Sequence, residues 1–227
     1  MIVRKGALRK TLQVAAAIAP QGVKHLIYRR CFGWEVHPTA RFGVSLLAVD
    51  HLVAEEGVRV SHLNLIKGCA LVHLGRGALI GPLNWVTALP LASPLFPASP
   101  ERRPQLTLGA ESGITTRHWI SCNDEVAIGE FAVLGGLHSR VITHGPDLRT
   151  ATQRTAPVRI GARALVTANC TLLAGAIVPA RSIVASGATV VGPLPDELVL
   201  YGGVPARRLK DLPEDLGLFT RERGYVD

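Results

Sequence analysis

Six aliphatic residues recur at an unbroken spacing of six in the C-terminal third of the chain. They are Ile160, Val166, Leu172, Val178, Val184 and Val190. A period of six matches neither the 3.6-residue turn of an α-helix nor the two-residue alternation of a simple strand. It matches a chain that turns a corner every six residues and points one aliphatic side chain inward on each face. Three such faces predict a triangular coil of about eighteen residues per turn, stacked through parallel strands.

Small residues stand four places after each of the first five aliphatic positions, where a tight corner leaves little room. They are Ala164, Cys170, Ala176, Ser182 and Ala188. Looser blocks with the same spacing run over residues 74–86 and 108–126, and the frame then shifts by two to Ile128 and Leu134. Aromatic residues make up only 5% of the chain, whereas glycine (23) and proline (15) are plentiful. We therefore predict an all-β fold in which the repeated aliphatic residues form the core.

The net charge of +8 is concentrated at the N-terminus. Seven basic residues and no acidic residue precede Glu35, whereas the remainder carries 18 basic and 17 acidic residues. Nucleic-acid binding would need basic residues spread over a face among stacking aromatics, so we expect no nucleic-acid partner. Residues 1–35 are predicted to form a basic, amphipathic helical extension, broken at Pro20-Gln21-Gly22. It would either pack over the open end of the coil or contact an anionic membrane surface.

The apolar stretch over residues 12–19 resembles the core of a secretion signal, but it is short and contains Gln13. A cleaved signal is therefore not favoured, and no run approaches the ~20 apolar residues of a membrane span. The four cysteines are far apart and include no CxxC pair, which indicates free thiols in a reducing compartment. We expect a cytoplasmic protein, with peripheral membrane contact through the extension as an option.

Two stretches interrupt the period within the predicted coil of residues 36–200. The first, near residues 88–106, contains five prolines, and the second covers about residues 138–157. Long loops on a rigid repeat fold are common places for functional sites. Residues 201–227 are predicted to form a capping segment and a tail.

The Ile/Val-Gly-x4 hexads and the closing Tyr-Gly-Gly-Val-Pro-Ala-Arg of residues 201–207 resemble the hexapeptide-repeat acyltransferase family, in its O-acetyltransferase-like branch. The resemblance covers roughly residues 36–210. It implies a left-handed parallel β-helix, although parallel crossovers are normally right-handed. It also implies a homotrimer with sites between chains, acetyl-CoA as cosubstrate, and a hydroxyl acceptor on a sugar or a polysaccharide or glycolipid precursor. An amino group on a nucleotide sugar is the competing acceptor, but no additional nucleotide-binding domain is visible.

In that family a histidine follows the Ile-Gly hexads just before a loop and acts as general base. Thr143-His144 matches this placement, and imidazole suits the task because its pKa lies near neutral pH. His138, six residues earlier, competes for the role. His118 could assist across a subunit interface or be a polar surface or interface residue. Asn84 and Asn123 are candidates to orient the base, or corner residues.

Coenzyme A carries a diphosphate and a 3′-phosphate, which require cationic partners. By resemblance, the candidates for cofactor contact are Arg207, Arg208, Thr167, Ala168 and Gly187, with Arg163 and Arg181 as weaker ones. An ordinary solvated arginine is the alternative for each arginine.

Two other functions fit the same fold. A zinc-dependent, carbonic-anhydrase-like protein would need three converging histidines. His118, His138 and His144 are available, but a spacing of six places the last two on diverging faces, so we predict no metal site. A nonenzymatic scaffold would keep its function when His144 is replaced by alanine.

Overall fold

The computed structural model describes residues 6–224, and its strands form a parallel β-coil with three faces. Face A contains β1 (Glu35–Val36), β4 (His51–Ala54), β7 (Leu71–Leu74), β10 (Gln105–Leu108), β13 (Val126–Ile128), β18 (Val158–Ile160) and β21 (Ile177–Val178). Face B contains β2 (Arg41–Phe42), β5 (Arg59–Val60), β8 (Leu79–Ile80), β11 (Gly113–Thr116), β14 (Val133–Leu137), β19 (Leu165–Val166), β22 (Ile183–Val184), β24 (Val199–Gly202) and β25 (Arg207–Asp211). Face C contains β3 (Leu46–Ala48), β6 (Leu65–Lys67), β9 (Trp85–Thr87), β12 (Trp119–Ser121), β15 (Arg140–Ile142), β20 (Thr171–Leu172) and β23 (Thr189–Val190). The predicted all-β coil of three faces is confirmed.

The hexad residues form the centre of the coil, and all six are at most 2% exposed. Val166 lies beside Val184, 18 positions further on, as predicted. The turn that follows Val60 is longer, since Val60 lies beside Ile80, 20 positions further on. The extra length arises on face A, where Val72 and Leu74 of β7 both point inward. The same arrangement buries both Val126 and Ile128, which accounts for the frame shift at that point.

Tight corners between the faces use left-handed backbone conformations. One column of such residues contains Leu63, Leu83, Arg117, His138, Asn169 and Gly187, with φ between +57° and +77°. Backbone hydrogen bonds join successive corners, as from His138 N–H to the Arg117 carbonyl (3.2 Å). Gly68, with φ of +80°, has no room for a side chain, because a Cβ there would lie 1.9 Å from the Ala88 carbonyl oxygen.

The N-terminal helices pack over the open end of the coil. Helix α1 spans Ala7–Ile18, and α2 (Gln21–Leu26) continues into a π-helical turn at Ile27–Cys31. Arg9 Nη2 donates to the Val49 carbonyl (2.9 Å), and Lys24 Nζ donates to the Phe42 carbonyl (3.0 Å). These bonds satisfy backbone acceptors that have no further coil above them. Residues 1–5 of the predicted extension lie outside the described residues, and no helix within residues 6–224 has the length and apolarity to span a membrane.

Two segments leave the coil, and the second is shorter than predicted. The first joins β9 to β10 and is called the proline loop (residues 88–104). The second is an antiparallel hairpin made of β16 (His144–Asp147) and β17 (Thr152–Thr155). The prediction of a loop starting at residue 138 was wrong, because Val141 remains in the interior, where β15 pairs with β12.

The C-terminal segment closes the other end of the coil and then runs back along it. Strand β24 adds to face B in parallel with β22, and β25 folds back antiparallel onto β24. The tail includes α3 (Gly217–Thr220). Arg163 Nη1 donates to the Phe219 carbonyl (2.6 Å), and Gly224 N–H donates to Glu111 Oε2 (3.1 Å). The tail is thereby tied to coil turns that lie far from it in sequence.

Candidate active site

A column of buried polar side chains runs along one corner of the coil. Each side chain accepts the backbone N–H of the equivalent residue one turn later: Ser45 Oγ from Asn64 (3.0 Å), Asn64 Oδ1 from Asn84 (2.8 Å), Asn84 Oδ1 from His118 (2.9 Å), His118 Nδ1 from Ser139 (3.1 Å) and Ser139 Oγ from Cys170 (3.1 Å). These contacts satisfy N–H groups that the coil would otherwise bury without a partner. This polar column therefore has a structural role, and Asn84 belongs to it.

His118 is enclosed in the polar column and is shielded from solvent. It is 1% exposed, and its Nε2 lies 2.9 Å from Thr115 Oγ1. Because Ser139 N–H donates to Nδ1, the ring proton is on Nε2, and both nitrogens are used within the chain. Burial, and to a smaller extent the nearby His138, lower the pKa of His118 to about 4. The expectation that His118 assists His144 is corrected accordingly.

His144 begins the hairpin and is held by two side chains from the preceding turn. Its Nδ1 lies 3.2 Å from Ser121 Oγ and 3.2 Å from Asn123 Nδ2, and Asn123 Nδ2 donates to Ser121 Oγ (3.0 Å). Ser121 ends β12 with its side chain directed away from the core, and Asn123 lies in the corner that follows. The ring of His144 is thus fixed in orientation through one nitrogen.

The amide of Asn123 has a defined orientation, because Leu89 N–H donates to its Oδ1 (2.9 Å). Two tautomers of neutral His144 fit these contacts. With the proton on Nε2, Nδ1 accepts from the Asn123 amide. With the proton on Nδ1, this nitrogen donates to Ser121 Oγ, and Nε2 is unprotonated. The second tautomer is the one that a general base acting through Nε2 requires.

The proline loop covers His144. The ring of Phe96 meets the imidazole edge-on, with 5.8 Å between centroids, and the Arg102 guanidinium lies 4.8 Å from the Phe96 centroid. Arg102 is itself buried and donates to the carbonyls of Leu89 (3.1 Å) and Asn123 (3.2 Å). The resulting partial burial lowers the pKa of His144 and so favours the neutral imidazole, the form that can accept a proton.

Asp124 and Thr143 fix the base of the hairpin. Thr143 Oγ1 accepts Asp124 N–H (3.0 Å) and donates to the Ser121 carbonyl (2.7 Å). Asp124 Oδ2 accepts from Thr155 Oγ1 (2.8 Å), and its Oδ1 accepts Arg103 N–H at the end of the proline loop (3.1 Å). The hairpin, the proline loop and the coil therefore meet at one hydrogen-bonded cluster beside His144.

His138 has a different environment from His144. It is exposed at a left-handed corner (φ +61°) and lines a surface groove of about 720 Å³ on face C. Asn123 lines the same groove and also contacts His144 Nδ1. The structure thus places His138 on the wall of a groove that reaches the His144 cluster.

Three of the predicted cofactor contacts lie near the C-terminal end of the corner column that contains His138: Gly187 is in the column, and Thr167 and Ala168 directly precede its member Asn169. Thr167 Oγ1 donates to the Val184 carbonyl (2.7 Å), and Ser186 Oγ lies 3.1 Å from Thr167 Oγ1. Gly187 N–H donates to the Ala168 carbonyl (3.0 Å). Thr167 and Ala168 are partly exposed and Gly187 is exposed, so the three form one accessible edge of the coil.

The predicted arginines are mostly engaged within the chain. Arg208 lies on β25 and contacts the carboxylates of Asp196 (3.0 Å) and Asp211. Arg181 pairs with Glu197 (2.9 Å), and Arg163 holds the tail. Arg207 is exposed and donates to the Ala206 carbonyl (3.1 Å). Carboxylate partners would compete with a phosphate, which weakens Arg208 and Arg181 as cofactor contacts.

Sequence reasoning missed Ser121, Phe96 and Arg102 as parts of this site. Ser121 looks like any outward-facing strand residue, and Phe96 and Arg102 lie in a segment without periodicity. Within residues 6–224, no group of three or more histidine, cysteine or acidic side chains is placed to hold a metal ion. The enclosure of His118 also removes one of the three histidines that the zinc alternative needs.

No protein-family model matches the sequence, and no curated protein matches it significantly. Among solved structures, the chain is similar to variants of AntD, an N-acyltransferase from Bacillus cereus. One AntD variant, in complex with dTDP and coenzyme A, has a TM-score of 0.59 and 13% identity, over 87% of this chain and 92% of that chain. Another, in complex with dTDP-4-amino-4,6-dideoxyglucose and coenzyme A, has a TM-score of 0.58 and 16% identity, over 74% and 84%. A hexapeptide-repeat acetyltransferase from Vibrio cholerae gives 0.46 and 15%, over 90% and 85%.

The similarity to AntD is low in sequence and extends over most of both chains. At this level of identity it establishes the fold and not the activity. The predicted left-handed parallel β-helix is confirmed.

Proposed function

We propose that the chain is a hexapeptide-repeat acyltransferase that moves an acetyl group from acetyl-CoA to a hydroxyl of a sugar or a polysaccharide or glycolipid precursor. The observation that carries the proposal is the placement of His144. Its Nδ1 is held by Ser121 and Asn123, its pKa is lowered, and the proline loop covers it. A positioned imidazole whose neutral form is favoured, held by a side chain that lines a groove, is what general-base catalysis of acyl transfer needs.

In this mechanism the acceptor hydroxyl oxygen attacks the thioester carbonyl carbon while His144 Nε2 takes the hydroxyl proton. The Nδ1–H bond to Ser121 Oγ then stabilises the imidazolium. When the tetrahedral intermediate collapses, the carbon–sulfur bond breaks, and the proton on Nε2 passes to the departing thiolate of coenzyme A. Atoms and charges balance without a metal or a redox partner.

The choice of a hydroxyl over an amine rests on the need for a base. An alcohol is too weakly acidic to attack a thioester unaided, whereas a neutral amine already carries a free electron pair. AntD, whose structures contain coenzyme A and a dTDP-linked amino sugar, supports the thioester and the sugar class of acceptor. An amino acceptor is therefore the alternative to be tested beside the hydroxyl.

The proposal includes a homotrimer located in the cytoplasm. The homotrimer comes from the family resemblance. The cytoplasmic location comes from the indication of reduced cysteines, and a cytosolic pool of acetyl-CoA agrees with it. Sedimentation equilibrium is expected to give three times the 24.2 kDa chain mass, and a mass of one chain would contradict the trimer.

The test is release of free thiol from acetyl-CoA in the presence of a panel of hydroxyl-bearing and amino-bearing sugars, each free, phosphorylated or nucleotide-linked. We expect release with a hydroxyl acceptor and a loss of roughly 10²–10⁴-fold in kcat for His144→Ala. His51→Ala is the matched control, because His51 is an exposed histidine on β4. Undiminished turnover by His144→Ala would refute the assigned base.

The same panel, a metal analysis of the purified protein and the phenotype of His144→Ala separate the alternatives. Thiol release only with amino sugars would replace O-acylation by N-acylation. Bound zinc near one ion per chain would contradict the transferase assignment. No release with any acceptor, together with unaltered biological function of His144→Ala, would indicate a nonenzymatic scaffold.

A further inference from the structure

Two tryptophans are exposed on face C. Trp85 on β9 and Trp119 on β12 are 59% and 50% exposed, and they are direct neighbours in the parallel ladder. The third tryptophan, Trp34, is 2% exposed. Adjacent exposed indoles on one strand ladder are unusual on a soluble surface and mark a surface that receives a partner or ligand. Both line the groove introduced above, which we call the tryptophan groove.

The tryptophan groove is also cationic. Lys67, Arg117 and Arg140 line it, and no aspartate or glutamate lines it within the described chain. Some other arginines of this protein have carboxylate partners, as in Arg154–Asp147 (2.7 Å) and Arg159–Glu125 (2.7 Å). In residues 6–224, by contrast, no carboxylate pairs with Lys67, Arg117 or Arg140. Three unpaired cations around a concave surface attract an anion.

The groove lies next to the side chains that hold the proposed base. Thr87, which lines the groove, lies between Lys67 and Ser121 in the face C ladder. Ser121 contacts His144, and Asn123 both lines the groove and contacts His144. A ligand bound at the cations and tryptophans would therefore extend toward Asn123, which contacts His144.

We propose that the tryptophan groove binds the acceptor, and that the acceptor is a phosphate-bearing sugar. The apolar face of a sugar ring, or the base of a nucleotide-linked sugar, would stack on Trp85 or Trp119. The phosphate would pair with Arg140, Arg117 and Lys67, since arginine binds phosphate oxygens in a bidentate manner. This inference rests on the proposed function, and it specifies the class of acceptor at that same site.

Tryptophan fluorescence tests the inference without any turnover. The probes are glucose, glucose 1-phosphate and UDP-glucose, titrated into the wild-type protein. We expect saturable quenching by at least one of the two phosphorylated probes, weakening with added salt, and no quenching by glucose. Quenching by glucose 1-phosphate identifies a sugar phosphate as sufficient, whereas quenching by UDP-glucose alone identifies a nucleotide-linked sugar.

Variants locate the binding. Arg140→Gln is expected to weaken the affinity at least tenfold, and Arg41→Gln, an exposed arginine on β2, is the matched control. Trp85→Phe with Trp119→Phe is expected to abolish the quenching, because only buried Trp34 remains. Absence of quenching at millimolar probe, or equal affinity in Arg140→Gln, overturns the inference. Conversion of the oligomer to monomers by Trp119→Ala would also overturn the inference, because it would show that this face is a subunit interface.

Failure of this inference differs from failure of the proposed function. If the phosphorylated probes bind but no acceptor panel releases thiol, the groove stands and the transferase assignment falls. If thiol is released normally by Arg140→Gln and by the double tryptophan variant, the transferase assignment stands and the groove assignment falls.

A separate observation concerns the N-terminal helices, whose amphipathic character is inverted. The face of α1 that packs on the coil contains Arg9 and Gln13, both buried, while Val14 and Ile18 are 59% and 73% exposed. In α2, Lys24 is buried, whereas Val23 and Leu26 are 46% and 60% exposed. The polar groups serve the end of the coil, and the aliphatic side chains face outward.

Charge indicates what covers this aliphatic face. Lys10 and Arg30 are exposed in the same helical segment, and no acidic residue precedes Glu35. Exposed aliphatic side chains flanked by cations, without acidic neighbours in the helices, are characteristic of helices that lie in the headgroup region of an anionic bilayer. We infer that this face docks onto an anionic membrane surface.

Sedimentation with lipid vesicles tests this second inference. The full chain is expected to bind phosphatidylcholine vesicles that contain phosphatidylglycerol and to bind pure phosphatidylcholine at least tenfold more weakly. Val14→Ser with Ile18→Ser is expected to remove binding, and Leu209→Ser, at an exposed leucine on β25, is the control. Binding that survives in the double variant contradicts the inference. A concentration-dependent increase in mass that the double variant abolishes would assign the face to a second copy instead.

Discussion

His118 and His144 occupy neighbouring parts of the same coil, and the difference between them shows how the fold decides the role of a histidine. Both rings are fixed through Nδ1, His118 by Ser139 N–H and His144 by Ser121 and Asn123. The Nε2 of His118 also has a partner, Thr115 Oγ1. Within residues 6–224, no side chain or backbone group bonds to Nε2 of His144. A histidine with both nitrogens engaged supports structure, and one with a free nitrogen beside a groove is available for chemistry.

The largest expected effect on stability comes from the replacement of His118. His118→Ala removes the acceptor of Ser139 N–H and leaves a cavity in the polar column, so we expect a loss of about 2–4 kcal/mol in the free energy of unfolding. Urea denaturation measures it. His51→Ala, at an exposed position, is expected to change the value by no more than about 0.5 kcal/mol. Equal values for the two variants would show that the polar column contributes nothing through His118.

The low pKa of His118 also makes stability depend on pH. In the unfolded chain its pKa is about 6.5, and in the folded chain it is about 4, so the unfolded state binds the extra proton first as the pH falls. Stability is therefore lost between pH 6.5 and 4, by up to ~3 kcal/mol from this group. His118→Gln is expected to reduce the difference between unfolding free energies at pH 7 and pH 4.5. A pH dependence as steep as that of the wild type would contradict the assigned pKa.

A negative charge placed beside His144 should change the pKa of its imidazole in the direction opposite to the effect of burial. Asn123→Asp replaces the amide by a carboxylate that accepts Nδ1–H and raises the pKa of His144. Because the base must be neutral, the acidic limb of the kcat/KM profile is expected to move to higher pH by about one unit, or ~1.4 kcal/mol. Asn169→Asp, at an exposed corner, is the control. An unmoved limb would remove Asn123 from the site.

The smallest expected effect concerns the cover over His144. Phe96→Ala admits water to the imidazole, which relieves the burial that lowers its pKa. The acidic limb is expected to move upward by a few tenths of a pH unit, of the order of 0.5 kcal/mol. Leu95→Ala, at an exposed position in the same loop, should leave the profile unchanged. Movement to lower pH would show that Phe96 does not shield the base.

The coil was predictable because its core repeats locally. The hexad from Ile160 to Val190 needs no distant information, and the structure buries every member. The length of the earlier turns was not predictable, since it depends on face A strands that bury two alternate residues. The start of the second loop was placed too early because the sequence around Val141 departs from the hexad although its side chain still fills the interior.

The site was predictable only in part. The position of His144 followed from resemblance and from the end of the regular coil. Its partners come from other turns: Ser121 lies 23 residues away, and Leu89, which orients Asn123, lies 34 residues from that asparagine. The same limit applies to His118, because its bond to Ser139 spans 21 residues and exists only once the turns are stacked.

The most direct test of the central claim is the rate of thiol release by His144→Ala, measured with the identified acceptor in the absence and presence of added imidazole. We predict a loss of roughly 10²–10⁴-fold in kcat, partly restored by imidazole in proportion to its neutral form. A rate close to that of the wild-type protein, with no response to imidazole, would contradict the assignment of His144 as the base.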